Sequence, residues 1–420
     1  MNALTELPVP QDAPPAGSCV RLERPEPGLA VVVLDPPHRK LAVFDLALMR
    51  DLEAAVDELA RDGSLKGVVF TGRTPTSFAA GADIEAIAHI EDKAEATRLA
   101  AYGQALFQKI ASLQPRTVAA VGGPVPGGAC ELSLACDRIV LADDPATRIG
   151  LPETRLGILP GWGGCQRLPR RVGVPKALAA ILAGKLYRAR QAKRLGLVDR
   201  LTFPEYLVRV ASEIALGRMP CKRVERGVWR WLVDRNPVAL GLIGKRVAAD
   251  LAKQTGGHYP AQPTALKLVL NAPRTPLEVG LQREAEALGR LAVSPECKNL
   301  VGIFQLSEEA KRLGKTAAGE PGRAIDRAAA IGGGVMGAAI AGLMAERGLD
   351  VRLADIAREP LDAALVEHAK RVAKARSRHV FAPHEATAAL DRLTVTTSFD
   401  GLAHRGLVIE AVAEQLEIKR

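Results

Sequence analysis

The segment that most limits the possible folds is an uncharged run of 18 residues, Ala328 to Ala345. It contains five glycines, and their spacing is informative. Its length alone would suit a membrane span. Three of the glycines, however, form the pattern Gly332-x-Gly334-x-x-Gly337 between an apolar strand-like segment and an apolar helix-like segment. Glycines at this spacing allow a tight turn and a close approach of the backbone to a bound phosphate. We therefore predict a strand, a glycine-rich turn and a helix here, and no membrane span.

An acidic residue follows the next predicted strand. The segment Val351 to Ala354 ends at Asp355, which stands 21 residues after Gly334. A carboxylate at this point can accept hydrogen bonds from both ribose hydroxyls of NAD, and it would repel the 2′-phosphate of NADP. The predicted cofactor is therefore NAD, and the residues predicted to bind it are Gly332, Gly334, Val335, Met336, Gly337 and Asp355.

Two regions in which strands alternate with helices predict an α/β fold. Four short apolar segments of the first region resemble buried strands, namely Leu29 to Leu34, Lys66 to Thr71, Thr117 to Val121 and Arg138 to Ala142. From about Leu168 to Lys315 the pattern is mostly helical, and no strand is predicted. The second region begins at Arg323, and its predicted strands are Ala328 to Ile331, Val351 to Ala354, Leu393 to Thr396 and Leu407 to Ala411.

Composition excludes several classes of protein. With 48% hydrophobic and 25% charged residues, the chain of 420 residues can bury large cores, which excludes global disorder and a collagen-like structure. Six cysteines without CxxC spacing and seven histidines without ligand-pair spacing indicate neither a disulfide framework nor a metal site. Residues 1–17 are rich in Pro and Ala and lack the apolar core of a secretory signal, so we predict a disordered tail and a cytoplasmic protein.

Positive charge is concentrated in one part of the chain. Residues 155–235 contain 18 Lys and Arg against 5 Asp and Glu, whereas the net charge of the whole chain is +10. A solvated helical surface explains most of these residues. The alternative is a ligand that carries several phosphate groups. Nucleic acid is disfavoured because neither an aromatic platform nor a DNA-binding motif accompanies the charge.

Two segments of small residues predict a pair of backbone hydrogen-bond donors. The segment Phe78 to Ile84 (FAAGADI) follows a predicted strand. The segment Pro124 to Leu132 (PVPGGACEL) places Gly127 and Gly128 at a helix start, where unpaired N–H groups favour negative charge. Together the two segments can form a two-donor oxyanion hole.

Two glutamates accompany these segments. Glu131 falls in the first turn of the predicted helix, and Glu153 lies in a turn 22 residues later. Two carboxyl groups beside an oxyanion hole can hold one water molecule and move its protons separately, because burial and mutual repulsion raise the pKa of one of them. The alternative is structural: Glu131 then only complements a helix N-terminus, and Glu153 is only a turn residue.

Taken with Gly150 to Arg170 (GLPETRLGILPGWGGCQRLPR), these segments resemble the crotonase superfamily in order and spacing. They are most similar to the enoyl-CoA hydratase domain of multifunctional fatty-acid oxidation alpha subunits. The resemblance implies a crotonase-type β/α spiral over residues 18–200, followed by a helical part and connector over residues 201–322. It also implies a coenzyme A thioester substrate, with hydration of trans-2-enoyl-CoA to 3-hydroxyacyl-CoA; some members of the superfamily instead shift the double bond.

The same resemblance implies roles for individual residues. The backbone N–H groups of Ala82 and Gly128 would form the oxyanion hole. Glu131 and Glu153 would be the acid and base. The N–H of Gly161 would help to hold the water.

The glycine-rich segment and the segment Leu407 to Lys419 resemble 3-hydroxyacyl-CoA dehydrogenase. This second resemblance implies a partial Rossmann-type, NAD-binding domain over residues 323–420. It also implies that Glu414 and Lys419 lie near the nicotinamide half of NAD. An exposed carboxylate at a helix start is the alternative for Glu414.

The histidine motif of that dehydrogenase family has no counterpart in this sequence. None of His368, His379, His384 and His404 stands in such a motif, and each is interpreted as an ordinary solvated histidine. The sequence therefore predicts a C-terminally truncated protein, a hydratase fused to an incomplete dehydrogenase. The alternatives are an acyl-CoA and NAD binding remnant without catalysis, and a dehydrogenase completed in trans.

Half of a doubly wound sheet leaves an unpaired edge, so residues 323–420 are expected to be marginally stable or to associate. The resemblance implies an acyl-CoA substrate and, for full-length family members, a thiolase beta subunit as partner. It also allows a homo-oligomer.

Overall fold

The computed structural model describes residues 13–222, 233–316 and 324–419. The chain divides into two compact units, Met1–Glu309 and Ala310–Arg420. Residues 1–12 of the predicted disordered tail lie outside the described residues. Pro14, close to the end of that tail, is tied to the first unit, because its carbonyl oxygen accepts a hydrogen bond from Arg50 at 3.1 Å.

The first unit is built on a six-stranded sheet and a small three-stranded sheet. The strand order is β1-β2-β3-β4-β6-β9 in the large sheet and β5-β7-β8 in the small one. In the large sheet, only the β1–β2 pair is antiparallel among the described strands. The strands are β1 (Val20–Glu26), β2 (Leu29–Leu34), β3 (Gly67–Gly72), β4 (Arg116–Val121), β5 (Pro124–Pro126), β6 (Arg138–Ala142), β7 (Arg148–Gly150), β8 (Leu186–Tyr187) and β9 (Arg200–Thr202).

Helices and short 3-10 turns fill the rest of this unit. The helices are α1 (Leu46–Arg61), α2 (Ile84–His89), α3 (Lys93–Ala111), α4 (Gly128–Ala135), α5 (Gly164–Val172), α6 (Val174–Ile181), α7 (Ala189–Leu195), α8 (Leu207–Ala215), α9 (Pro237–Thr255), α10 (Ala261–Asn271), α11 (Leu277–Ala292) and α12 (Pro295–Thr316). The 3-10 turns are Glu153–Leu156, Pro204–Tyr206 and Ala272–Arg274.

The large sheet is covered on both faces, which explains the continuous apolar sequence of β2. Ala30, Val32 and Leu34 belong to the main core, together with residues of α1 and α3. Leu29, Val31 and Val33 belong to a second core, together with residues of α8. A strand buried on both faces has no polar side, so its sequence does not alternate. The four strands predicted in this region are confirmed, with ends that differ by at most one residue.

The prediction of no strand between Leu168 and Lys315 is wrong. Two short strands, β8 and β9, lie in this range, and β9 forms an edge of the large sheet. Strands of two or three residues are too short to show the alternation by which a strand is recognised in a sequence. Strand β1 was not predicted either, because most residues of its sequence VRLERPE are charged and the strand is only partly buried.

The second unit contains a four-stranded sheet in which every described strand pair is parallel. Its strands are β10 (Arg327–Ile331), β11 (Asp350–Ala354), β12 (Leu393–Thr396) and β13 (Leu407–Glu410), in the order β12-β11-β10-β13. Its helices are α13 (Val335–Glu346), α14 (Arg358–Ser377), α15 (Pro383–Asp391) and α16 (Leu416–Lys419). The predicted alternation of strands and helices is therefore confirmed for this unit.

The uncharged run Ala328 to Ala345 forms most of β10, a turn and most of α13. In the part of the chain that the structure describes, no helix combines the length and the apolar character that crossing a bilayer requires.

Candidate active site

A cavity of about 700 Å³ in the first unit is lined by both of the small-residue segments predicted to carry chemistry. Most of its wall is apolar and includes Ile87, Ile90, Leu99, Leu156, Leu159 and Leu288. The carboxyl-bearing residues Glu131 and Glu153 also line it. The cavity therefore suits a ligand with an apolar chain and one reacting polar group.

The glycine pair Gly127 and Gly128 links strand β5 to helix α4. Gly127 has a φ of 57°, in the region that favours glycine, and a side-chain carbon there would lie 3.1 Å from Oε1 of Glu153. Gly128 is the first residue of α4, and a side-chain carbon there would lie 2.3 Å from the ring of Trp162. Both positions therefore need glycine, and neither residue adds a side chain of its own at the start of α4, where both line the cavity.

The structure places Ala82 beside this turn. Ala82 pairs with Phe44 in a parallel bridge, and the Phe44 N–H donates to the Gly81 carbonyl at 2.9 Å. A side-chain carbon on Gly81 would lie 2.9 Å from the Pro126 carbonyl oxygen and 3.7 Å from the Gly128 nitrogen. The two backbone segments predicted to act together are thus in contact.

Glu131 is buried in the first turn of α4, with 2% of its surface exposed. Its Oε1 accepts the backbone N–H of Trp162 at 2.8 Å and that of Gly164 at 2.7 Å. Burial raises the pKa of Glu131 to about 7, although these two donors and the nearby Arg167 charge act in the opposite direction. A carboxyl group with this pKa can both release and accept a proton near neutral pH.

Glu153 begins the 3-10 turn Glu153–Leu156. Both of its carboxyl oxygens are buried, and neither has a hydrogen-bond partner among the described residues. Burial raises the pKa of Glu153 well above its usual value, and the negative charges of Glu131 and Glu284 add to this effect. An acid that is buried without partners and lines a cavity is a candidate for proton transfer.

Gly161 lines the cavity and follows both glutamates in the sequence. Its carbonyl oxygen accepts a hydrogen bond from Nε2 of Gln104 at 2.9 Å, and a side-chain carbon on Gly161 would lie 2.5 Å from Leu288. The following residue, Trp162, packs edge-on against Phe107, with ring centres 5.5 Å apart. These contacts fix the loop that carries the donors to Glu131.

Sequence reasoning missed Glu284. This residue lies on α11, is 0% exposed, and accepts the Gly163 N–H at 2.6 Å through Oε1. A signal was present in the sequence, because Glu284 falls on the helical stripe formed by Leu281, Ala285 and Leu288. A charged residue on the apolar face of a helix is unusual and deserves a functional explanation.

The glycine-rich turn of the second unit is shaped by close contacts. A side-chain carbon on Gly332, whose φ is 101°, would lie 2.6 Å from the Ala411 carbonyl oxygen. A side-chain carbon on Gly337 would lie 1.9 Å from the Gly332 carbonyl oxygen. Asp355 lies beside the turn, because its Oδ2 accepts the Gly333 N–H at 2.6 Å. The structure therefore brings Asp355 and the glycine-rich turn together, as the spacing predicts.

The other residues predicted to bind the cofactor lie at or near the surface. Val335 and Met336, at the start of α13, are 94% and 68% exposed. Lys419 forms ion pairs with Glu414 at 2.8 Å and with Glu410 at 3.0 Å. The hydrogen bond to Glu414 makes the largest contribution to raising the pKa of Lys419, and the hydrogen bond to Glu410 raises it further. Glu410 is therefore a third member of this charged group, which the sequence prediction did not include.

The interpretation of His368 as a solvated histidine is wrong. His368 is 3% exposed and its Nε2 lies 2.9 Å from the Ala389 carbonyl oxygen. It stands on the buried side of α14, together with Leu361, Ala364 and Val372. His368 stands at helical spacing from these apolar residues, so its burial could have been predicted from the sequence.

All six cysteines are free. Cys130, next to Glu131, is buried, and burial raises the pKa of its thiol well above the usual value. The thiol therefore stays protonated, as expected for a packing residue. Among the described residues, no group of three or more His, Cys, Asp or Glu side chains could hold a metal ion.

Comparisons with known families match each unit separately. Residues 24–218 match the family described as enoyl-CoA hydratase/isomerase, and residues 327–420 match the NAD-binding domain of 3-hydroxyacyl-CoA dehydrogenase. The fatty acid oxidation complex subunit alpha of Aliivibrio fischeri is 36% identical over 395 residues, which are 93% of this chain and 57% of that protein. The chain thus spans less than two thirds of the length of this relative.

Solved structures support the fold of the first unit. The crystal structure of a candidate enoyl-CoA hydratase from Streptomyces avermitilis has 25% identity and a TM-score of 0.50, covering 72% of this chain and 94% of that one. Human mitochondrial delta3-delta2-enoyl-CoA isomerase has 22% identity and a TM-score of 0.50, covering 70% of this chain and 99% of that one. The predicted crotonase-type fold is therefore confirmed, as is the Rossmann-type domain that follows it.

Proposed function

We propose that the first unit hydrates trans-2-enoyl-CoA to 3-hydroxyacyl-CoA, because residues 24–218 match the enoyl-CoA hydratase/isomerase family. Residues 327–420 match the NAD-binding domain of 3-hydroxyacyl-CoA dehydrogenase. The observation that carries the proposal is the pair of buried carboxyl groups, Glu131 and Glu153, on one largely apolar cavity. Over 93% of its length, this chain is 36% identical to a fatty acid oxidation complex alpha subunit, which is consistent with a role in fatty acid oxidation.

In the proposed reaction, the oxygen of a water molecule bonds to C3 of the enoyl thioester and a proton is added to C2. Glu131 and Glu153 between them take one proton from the water and deliver one proton to C2, so no net proton is gained or lost. Their raised pKa values support this role, because a carboxyl group must hold a proton near neutral pH in order to give one away. We assign the Gly161 N–H to the water, since Gly161 lines the cavity beside the Glu131 loop.

Negative charge develops on the thioester oxygen while the C3–O bond forms. We assign its stabilisation to the backbone N–H groups of Ala82 and Gly128, whose segments are in contact. One preorganised donor of this kind typically contributes about 2.7 to 4 kcal/mol to the transition state. Because the donors belong to the backbone, their position depends on glycines rather than on a replaceable side chain.

The second reaction of the family shifts a double bond between positions 3 and 2 of the acyl chain. This reaction needs one carboxyl group, which carries a proton between two carbons. The presence of both Glu131 and Glu153 favours hydration, because the second carboxyl group is needed only when water is activated.

For the second unit we propose NAD binding. The residues we assign to NAD are Gly332, Gly334, Val335, Met336, Gly337, Asp355, Glu414 and Lys419. The start of α13 provides N–H groups for the pyrophosphate, and the Asp355 carboxylate accepts the ribose hydroxyls. The exposure of Val335 and Met336 supports this assignment, because a cofactor can reach the start of the helix. When bound, NAD supplies hydride chemistry.

The proposal also includes the cytoplasm as location and two assemblies, a homo-oligomer and a complex with a thiolase beta subunit. The alpha subunit relative is a subunit of a fatty acid oxidation complex, which supports assembly with a second kind of subunit. Light scattering of the purified chain, alone and mixed with a thiolase, tests both assemblies.

Crotonyl-CoA and a longer trans-2-enoyl-CoA test the hydratase directly, because the ultraviolet absorbance of the conjugated thioester disappears when water adds. We expect the purified chain to consume at least one of them and to form the 3-hydroxyacyl-CoA. A folded chain that binds both thioesters without consuming either would contradict the proposal and favour a binding remnant.

A further inference from the structure

Glu284 is a completely buried acid to which the proposed reaction assigns no role. It lies on α11 and is 0% exposed. Taking a carboxylate out of water is costly unless a compensating interaction is present. The surroundings of this side chain therefore indicate what it does.

Glu284 and Glu131 hold the same three-residue loop. The N–H of Gly163 donates to Oε1 of Glu284 at 2.6 Å. The N–H groups on either side of it, those of Trp162 and Gly164, donate to Oε1 of Glu131 at 2.8 and 2.7 Å. Three consecutive N–H groups are thus divided between two buried carboxyl groups, and movement of either carboxyl group displaces the loop that holds the other.

The backbone at Gly163 allows no other residue. Its φ is 109°, and a side-chain carbon there would lie 2.9 Å from Nη1 of Arg167 and 3.3 Å from Leu281. Because Gly163 has no side chain, the positively charged guanidinium of Arg167 can lie close to the loop. Arg167 is 8% exposed, and its Nη2 donates to Gln108 at 3.0 Å.

The charged and titratable groups coupled to Glu284 form one cluster. The charges of Glu131 and Arg167 act on Glu284, and the charge of Glu284 acts on Glu153 and Cys165. Burial raises the pKa of Glu284, the Glu131 charge raises it further, and Arg167 opposes both. The Glu284 charge in turn raises the pKa of Glu153. Glu284 therefore acts on both members of the carboxyl pair, on Glu131 through the backbone and on Glu153 through its charge.

Anchoring of α11 does not need this acid. Nε2 of Gln104 donates to the carbonyl oxygens of both Gly161 and Leu281, each at 2.9 Å. A neutral side chain thus already ties the loop to α11. Glu284 is a second link between the loop and α11, and unlike Gln104 it is ionisable and faces Glu131 and Glu153. We explain this second link by the reaction at those two carboxyl groups.

We propose, on the basis of the proposed hydratase function, that Glu284 is a positioning residue for hydration. It fixes the Trp162–Gly164 loop that orients Glu131.

Two variants of the full chain test this role. Glu284→Gln keeps an oxygen that can accept the Gly163 N–H. Glu284→Asp keeps the carboxyl group but is too short to reach the Gly163 N–H in its present position. Glu286→Gln is the matched control, because Glu286 is exposed on the same helix. The rate of crotonyl-CoA hydration is measured from about pH 5 to about pH 9 for each protein.

Glu284→Gln should preserve the loop, because its amide oxygen can replace the carboxyl oxygen that accepts the Gly163 N–H. Its maximal kcat should stay within about threefold of the wild type. Glu284→Asp should keep the position of the profile and lose about 10- to 100-fold in kcat, because the loop that orients Glu131 shifts. Glu286→Gln should match the wild type in both respects.

Two results would overturn the inference: full kcat in Glu284→Asp, or a loss of kcat in a folded Glu284→Gln variant as large as the loss in Glu284→Asp. Calorimetric titration with butyryl-CoA, which cannot be hydrated, checks that the cavity is intact in each variant. The inference on Glu284 fails separately from the proposed function, since wild-type hydration without these variant effects contradicts only the former. A wild type that hydrates no enoyl-CoA contradicts both.

Discussion

Oε1 of Glu131 accepts the backbone N–H of Gly164 at 2.7 Å. The same oxygen accepts the N–H of Trp162, so the backbone holds this carboxyl group in one orientation. The orientation survives only while the loop keeps its shape, and that shape depends on glycines and on the packing of the Trp162 ring. The chemistry of the cavity is therefore sensitive to residues that only shape this loop.

Gly128→Ala should damage the cavity without touching either glutamate. The new methyl group would meet the Trp162 ring at 2.3 Å, so the ring or the start of α4 must shift. We expect kcat/KM for crotonyl-CoA to fall about 100-fold or more, because a displaced donor no longer matches the thioester oxygen. Steady-state kinetics measures this loss.

Gly241→Ala provides the matched control for that variant. Gly241 is an exposed residue of α9, and a side-chain carbon there would meet nothing within 4 Å. Alanine favours a helix over glycine by about 0.5 to 1 kcal/mol, so this variant should be as active as the wild type and equally or slightly more stable. Equal activity losses in the two variants would contradict the importance that we assign to Gly128.

Stability of the first unit should decrease as pH rises. The pKa of Glu131 is raised from 4.5 to about 7, so the folded state keeps a proton that the unfolded state has already lost. This contribution is fully present below the unfolded pKa and is lost as pH rises through the folded pKa. We expect the free energy of unfolding to fall by on the order of 3 kcal/mol between about pH 5 and about pH 8.

Urea unfolding followed by tryptophan emission measures this change, since all three tryptophans lie within residues 1–309. Glu131→Gln should reduce the pH dependence, because glutamine does not titrate. It should not abolish it, since burial also raises the pKa of Glu153 and of Glu284. An unfolding free energy that increases over this pH range would be inconsistent with the burial that the structure shows.

Asp355→Ala should weaken NAD binding and leave hydration unchanged. The Asp355 carboxylate lies at the glycine-rich turn, where it accepts the Gly333 N–H, and we assign it to the ribose hydroxyls. We expect the Kd for NAD to rise about 10-fold or more, and the preference for NAD over NADP to shrink because a repelling charge is gone.

Calorimetric titration with NAD and with NADP measures both effects. Glu367→Ala is a suitable control, since Glu367 is an exposed carboxylate on the neighbouring helix α14. Equal NAD affinity in the wild type and in Asp355→Ala would exclude the assignment of Asp355.

The sequence predicted those parts of the site that depend on local pattern. The continuous apolar strands, the glycine pair before α4 and the spacing from Gly334 to Asp355 are all short-range signals, and the structure has them where they were expected. Glu131 likewise falls in the first turn of its helix.

What could not be predicted depends on contacts between distant segments. The hydrogen bond from Gly163 to Glu284 joins residues 121 positions apart. No local pattern in the sequence indicates that α11 packs beside the cavity. The short strands β8 and β9 form only because the sheet is already present beside them. Such pairings are set by tertiary structure, which overrides local preference.

Hydration of crotonyl-CoA by the wild type, by Glu131→Gln and by Glu153→Gln is the decisive comparison for the proposed carboxyl pair. Each variant keeps the shape of the side chain and loses proton transfer. We predict that kcat falls by about 100-fold or more in each, while the affinity for butyryl-CoA stays within about threefold of the wild type. Retained turnover in either variant, or a large loss of affinity with turnover preserved, would contradict the assignment of Glu131 and Glu153 as the pair that adds water.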